Sequence, residues 1–163
     1  KLAATPCRYP VLKRAFLFSC LTGLRKSDIQ KLTWGEVQKF GKYTRIVFKQ
    51  RKTKGQEYLD ISSQAEKYLG ERGNPDDIVF TGFTYGSWTS LELQRWSLAA
   101  GVNKNLTFHC ARHTFAVLML DLGADIYTVS KLLGHRFLTT TQIYAKVLDK
   151  NKQNAVSLIP DIG

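Results

Sequence analysis

Acidic residues are in short supply: 13 Asp and Glu stand against 24 Lys and Arg over 163 residues, a formal net charge of +11. The basic residues occur throughout the chain instead of collecting in one tail. A folded domain of this charge usually faces an anionic partner, either nucleic acid or a membrane surface. Long apolar runs are missing too. None approaches the length needed to cross a bilayer, and no stretch joins a charged start, an apolar centre and a small-residue cleavage site. The membrane alternative weakens accordingly. Cysteine is scarce, and Cys7, Cys20 and Cys110 form an odd set at unrelated spacings, unlike a secreted disulfide framework. Internal repeats, low-complexity tracts and long linkers are also lacking. The expectation is a soluble intracellular protein folded as a single domain over residues 1–163, with 44% apolar residues to build its core.

What is present is a helical pattern interrupted once by strands. Val11, Leu12, Ala15, Phe16, Leu21 and Leu24 return at helical spacing behind Pro10. Ser27 and Gln30 form a capping-box pattern that predicts a short second helix from Asp28, so Arg25 falls at a junction between helices. Thr44 to Arg51 and Gln56 to Ile61 alternate as strands around "KTKG", predicting a basic-tipped hairpin. Ser63 with Glu66 predicts a helix through Arg72, and Thr89 with Glu92 another ending at Gly101. A helix follows "NLTFH" to Gly123, a short one runs from Asp125 to Gly134, and Thr139 with Gln142 opens a last one at Ile143 and Tyr144. The fold class is mainly α with a small antiparallel β-sheet, an α+β arrangement, followed by a polar tail over about 149–163 that contains the apolar segment "AVSLIP".

Within "HCARHTF", His109 to Phe115, two histidines, a cysteine and an arginine crowd together. The cluster fits half of a zinc site, a grip on phosphate, or the polar start of an ordinary helix. Polar side chains at element ends can reach a shared cleft while the scaffold stays rigid, and here they are Arg25, Lys52, Lys54, His109, Arg112, His135 and Tyr144. No carboxylate cluster for Mg²⁺ accompanies them. A phosphodiester attacked without a metal needs guanidinium forks on its developing charge and an acid for its leaving oxygen. Two arginines, two histidines and a lysine have that chemistry, and Tyr144 is then a candidate nucleophile. Each residue taken alone also fits a structural role: a helix-end cation, a core histidine, a solvated turn lysine or a packing tyrosine.

Taken in order, "TGLRKSDIQKLTW", "KTKG", "HCARHTFA" and "LLGHRFLTTTQIYA" resemble the motifs of the tyrosine recombinase family, the phage integrase type of site-specific DNA recombinase. The G-L-R-x-S-[E/D] pattern is Gly23 to Asp28, the H-x-x-R-H block is His109 to His113, and L-G-H is Leu133 to His135 with a tyrosine nine residues on at Tyr144. The similarity runs from about Leu12 to Leu148 and implies the catalytic-domain fold of that family. It implies that Tyr144 attacks one DNA strand to leave a 3′-phosphotyrosine, and that Arg25 and Arg112 clamp the non-bridging oxygens. It further implies Lys52, a better match than Lys54, as general acid, His109 in proton transfer and His135 as a hydrogen-bond donor to the phosphate. Asp28 is expected to help fix the arginines and His113 to be structural. Lys26, Arg51, Lys54 and Arg136 are expected to contact DNA. No metal, ATP or other cofactor is implied.

The resemblance also implies a separate helical DNA-clamping domain, absent here, so the chain is expected to be a catalytic fragment. It would act on double-stranded DNA with specific recombination sites, as a monomer when isolated and a tetramer when full-length on DNA. The implied setting is the nucleoid in a bacterial or phage-infected cytoplasm. Two other classes are weighed against it: a DNA-binding module without catalysis, using its basic surface for phosphate contacts alone, and a zinc protein. The zinc alternative is weak, because neither remaining cysteine belongs to a C-x-x-C pair that would complete a site with His109, Cys110 and His113.

Overall fold

Pro10 occupies the first turn of helix α1 (Pro10–Thr22), where its missing amide leaves nothing unpaired. In the computed structural model, residues 1–49, 56–135, 138–144 and 156–160 are described, without the side chains of Lys49, Gln56 and Glu57. The chain divides into two compact units, Lys1–Arg112 and His113–Gly163.

In the first unit, Leu12, Ala15, Phe16 and Phe18 of α1 are buried. Phe16 meets Trp96 and Phe108 edge-on at ring distances of 6.0 and 5.6 Å, and Phe83 and Tyr85 close on the other side of Phe108. Trp96 belongs to α4 (Ser87–Ala99) and donates its indole N–H to the Thr5 carbonyl, so its polar atom is satisfied inside the packing. Burial pushes the Cys20 thiol on α1 up to about 12, and neighbouring Cys110 adds to the effect.

The sheet has three antiparallel strands in the order β1 (Val37–Phe40), β2 (Tyr43–Lys49), β3 (Gln56–Ile61). The sequence pattern finds the β2–β3 hairpin and misses β1, in which only Val37 is buried and no alternation shows. Val37, Ile46 and Leu59 lie opposite one another and form the buried face. On the other face the Arg45 guanidinium lies between the rings of Phe40 and Tyr58, at 4.0 and 3.9 Å, and bonds Asp60 at 2.6 Å. That stack accounts for two aromatic side chains standing in solvent.

Several helix boundaries differ from those expected. Helix α2 (Lys26–Ile29) starts two residues earlier than Asp28, because the Arg25 carbonyl accepts from the amides of Asp28 and Ile29; Arg25, not Ser27, is the cap. Helix α3 (Ser63–Glu66) is capped by Ser62, whose hydroxyl accepts the Ala65 amide at 3.2 Å. It stops well before Arg72: the Arg14 guanidinium takes the carbonyls of Tyr68 and Leu69 that a longer helix would have used. Helix α4 begins at Ser87, and Thr89 reaches back to accept the Gly86 amide at 2.7 Å.

Helix α5 (His109–Asp121) leads into the second unit. There Phe115, Ala116 and Leu120 pack with Val129 and Leu133, the latter two from the α6 (Ile126–Leu132) region. As expected, Asp125 caps α6, accepting the Thr128 amide at 2.9 Å; the hydrogen bond from the Thr128 hydroxyl, at 2.6 Å, and then that amide hold its carboxyl below the usual range. Two 3₁₀ turns, Leu138–Thr140 and Gln142–Tyr144, lead up to the start of the helix expected from Ile143 and Tyr144, whose remainder lies outside the described residues. Thr139 and Thr140 are exposed, while Thr141 is wholly buried. Among the described residues no helix is long and apolar enough to cross a membrane.

Phe16→Ala should lower stability by about 3–5 kcal/mol in chemical denaturation. Leu98→Ala, at a position 63% exposed, should change it by no more than about 0.5 kcal/mol, and loss of the cap in Ser62→Ala should remove about 1 kcal/mol. At pH 8, where a thiol of raised pKa stays protonated, iodoacetamide should modify Cys20 last of the three cysteines, as read by peptide mass mapping.

Candidate active site

The first group of candidate residues gathers where α1 ends. Gly23 takes the left-handed conformation, φ 70°, that a side chain would disfavour, and its amide bonds the Ser19 carbonyl at 2.9 Å. The Ser19 hydroxyl donates to the Leu24 carbonyl at 2.8 Å, and the Leu24 amide donates to the Thr22 hydroxyl at 3.3 Å. These bonds make a rigid elbow, and Arg25 follows it with an exposed side chain. Arg112, one turn into α5, is only 7% exposed and donates from Nη1 to the Gly23 carbonyl at 2.5 Å. One hydrogen bond therefore brings the second arginine to within two residues of the first along the backbone.

His109 is the exposed first residue of α5. Its position is set by Phe108, whose ring is buried against Phe16 and whose amide donates to the Tyr85 hydroxyl at 3.2 Å. The Lys26 ammonium lies 4.7 Å from the centre of the Tyr85 ring. Tyr85 thus links the start of α2 to the start of α5, and nothing in its sequence context marks it. Asp28 is half-buried and, among the described residues, pairs with neither Arg25 nor Arg112. Asp28 lies in the first turn of α2, where a carboxylate suits the positive end of the helix.

The second group lies in the second unit. Helix α6 ends in a Schellman turn: the Gly134 amide, at φ 60°, bonds Lys131, and the His135 amide bonds Ser130. His135 is half-buried, with Nδ1 2.8 Å from the Thr141 hydroxyl. Thr141 also accepts the Tyr144 amide on its carbonyl at 3.1 Å, so one buried threonine holds both residues. Tyr144, half-buried, packs against the Phe115–Leu133 core. Its hydroxyl lies 2.5 Å from Nδ1 of His113, with the two rings edge-on at 5.6 Å.

Arg51, Lys52, Lys54 and Arg136 lie outside the described residues. Cys110 Sγ turns back to accept the Thr107 amide while His113 turns to Tyr144, and among the described residues no three His, Cys, Asp or Glu side chains form a set able to hold a metal ion. The sequence scan missed Tyr85, Thr141 and the contact between His113 and Tyr144. Only the triplet "TTT" next to the tyrosine hinted at any of them.

Residues 2–151 match the phage integrase family. The chain is 33% identical over 140 residues to tyrosine recombinase XerD of Oceanobacillus iheyensis, which covers 77% of this chain and 46% of that protein. It is 34% identical over 134 residues to tyrosine recombinase XerC of Actinobacillus pleuropneumoniae, 76% of this chain and 43% of that one. The chain therefore spans less than half the length of these relatives. In fold it is similar to the catalytic domain of bacteriophage HP1 integrase, with a TM-score of 0.64 and 24% identity over 94% of this chain and 85% of that one. The XerH recombinase bound to its palindromic difH substrate is likewise similar in fold, with a TM-score of 0.66 and 18% identity over 97% of this chain and 54% of that one. A family match that covers nearly the whole chain and takes in Arg25, His109, Arg112, His135 and Tyr144 makes this protein a member of the phage integrase family of tyrosine recombinases.

Proposed function

We propose that the chain is the strand-cleaving part of a site-specific DNA recombinase, and that Tyr144 is its nucleophile. The Tyr144 hydroxyl attacks a backbone phosphorus, a bond forms between Oη and phosphorus, and the bond to the 5′-oxygen breaks. The product is a 3′-phosphotyrosine, and the departing oxygen takes a proton from Lys52. Arg25 and Arg112 hold the non-bridging oxygens, whose charge grows in the transition state. His135 donates to the same phosphate, and His109 assists proton transfer. Attack by the freed 5′-hydroxyl of another strand reverses the step and completes an exchange.

The observation that carries this reading is the anchoring of Arg112 on the Gly23 carbonyl, beside Arg25. It supports two guanidinium groups acting as one clamp on the charge that grows on a phosphodiester under attack. The net charge of +11 supports DNA as the partner, through contacts to which Lys26, Arg51, Lys54 and Arg136 contribute. Recombination-site DNA is the ligand in the XerH structure of like fold. The full-length protein would assemble as a tetramer on two such sites, inside a bacterial or phage-infected cell.

A randomised library of nicked duplexes, incubated with the protein and recovered as covalent adducts, supplies both the test and the site. Wild type should yield adducts that map to Tyr144, and Tyr144→Phe should yield none while still retaining DNA. Retention without any wild-type adduct would instead identify a DNA-binding module. Adduct formation should be unchanged in excess EDTA, and a loss on chelation would overturn the metal-free scheme. Arg25→Ala and Arg112→Ala should each slow capture by about 10²–10³-fold while changing DNA affinity far less. Equal losses in both would make them ordinary phosphate anchors.

A further inference from the structure

A phenol with a pKa of about 10 is almost wholly protonated at neutral pH, so a tyrosine that attacks phosphorus needs a group to take its proton as the bond forms. The family resemblance gives proton transfer to His109 and leaves the last histidine of the H-x-x-R-H block as a structural residue. In the structure the Nδ1 of His113 lies 2.5 Å from the Tyr144 Oη. Both partners are fixed from behind. His113 sits half-buried in α5, and Tyr144 is held by its backbone bond to Thr141 and by the core of Phe115, Ala116, Leu120, Val129 and Leu133.

The geometry points to His113 as the general base that accepts the Tyr144 proton, an assignment that rests on Tyr144 being the nucleophile. This role requires the ring proton on Nε2, so that the Nδ1 lone pair accepts the phenol O–H. As Oη bonds phosphorus the O–H bond breaks and the proton passes to Nδ1, leaving an imidazolium. The leaving 5′-oxygen is protonated separately, by Lys52, so no proton or electron pair is unaccounted for. When the phosphotyrosine is later attacked, the imidazolium returns the proton to Oη as the tyrosine leaves. The two rings meet edge-on, 5.6 Å between centroids, which fixes the imidazole beside the phenol.

The test uses one duplex recovered from the wild-type library, and a copy whose scissile 5′-bridging oxygen is replaced by sulfur, a leaving atom that needs no acid. His113→Ala and His113→Gln should each slow capture by about 10²–10⁴-fold, with DNA retention and thermal melting near those of wild type. Added imidazole should restore part of the rate to His113→Ala. The sulfur substrate should rescue Lys52→Ala and leave the His113 variants slow. Capture by both His113 variants within about threefold of wild type, faster capture, or rescue by sulfur would each overturn the assignment; faster capture would mean that the contact parks the nucleophile. A measurement without DNA stands beside this. Nitrogen-15 spectra of His113 should show an unprotonated Nδ1 that is perturbed in Tyr144→Phe, and a proton resident on Nδ1 would rule out the base. Failure of the underlying reading looks different, since Tyr144→Phe would then still form an adduct or wild type would form none.

Discussion

The hydrogen bond from Arg112 to the Gly23 carbonyl is the contact on which the first group of candidate residues depends. A guanidinium that is 7% exposed needs firm partners, since burying a charge without them is costly. A backbone carbonyl is a partner that no side-chain substitution removes. Its direction is set by the left-handed Gly23 and by the bonds that Ser19 and Thr22 make across the elbow. Arg25 takes its place from the same elbow, so the geometry of both arginines is decided by how one helix ends.

The second unit solves a similar problem with a side chain. Thr141 is wholly buried, engages His135 through its hydroxyl and Tyr144 through its carbonyl, and lies between two 3₁₀ turns. The tyrosine is thereby held with its ring on an apolar core and its hydroxyl at a histidine.

Much of the architecture was legible where periodicity was strong. Helix α1 with Pro10 in its first turn, the β2–β3 hairpin and the Asp125 cap of α6 all follow from apolar spacing and capping chemistry. Strand β1 was not legible, because one buried residue in four produces no alternation. Helix α3 was overestimated, since its end is set by Arg14, a residue remote in sequence that takes the carbonyls of Tyr68 and Leu69. The start of α3 was misplaced for a local reason: Ser62 and Ser63 compete for the same amide, and sequence alone does not say which hydroxyl faces it.

By itself the sequence determined the family and the chemical kind of the site, because G-L-R, H-x-x-R-H, L-G-H and the tyrosine nine residues on form an ordered set whose side chains suit only an anionic, phosphate-like centre. It also made a zinc site improbable, since an arginine has nothing to offer a metal ion. Tertiary structure decided which atoms meet: that Arg112 binds the Gly23 carbonyl, that Tyr85 ties Lys26 to the start of α5, and that His113 meets Tyr144. Motif spacing gives the order of side chains along a helix, but the partner each one finds depends on chain segments far away in sequence, and only packing brings those together.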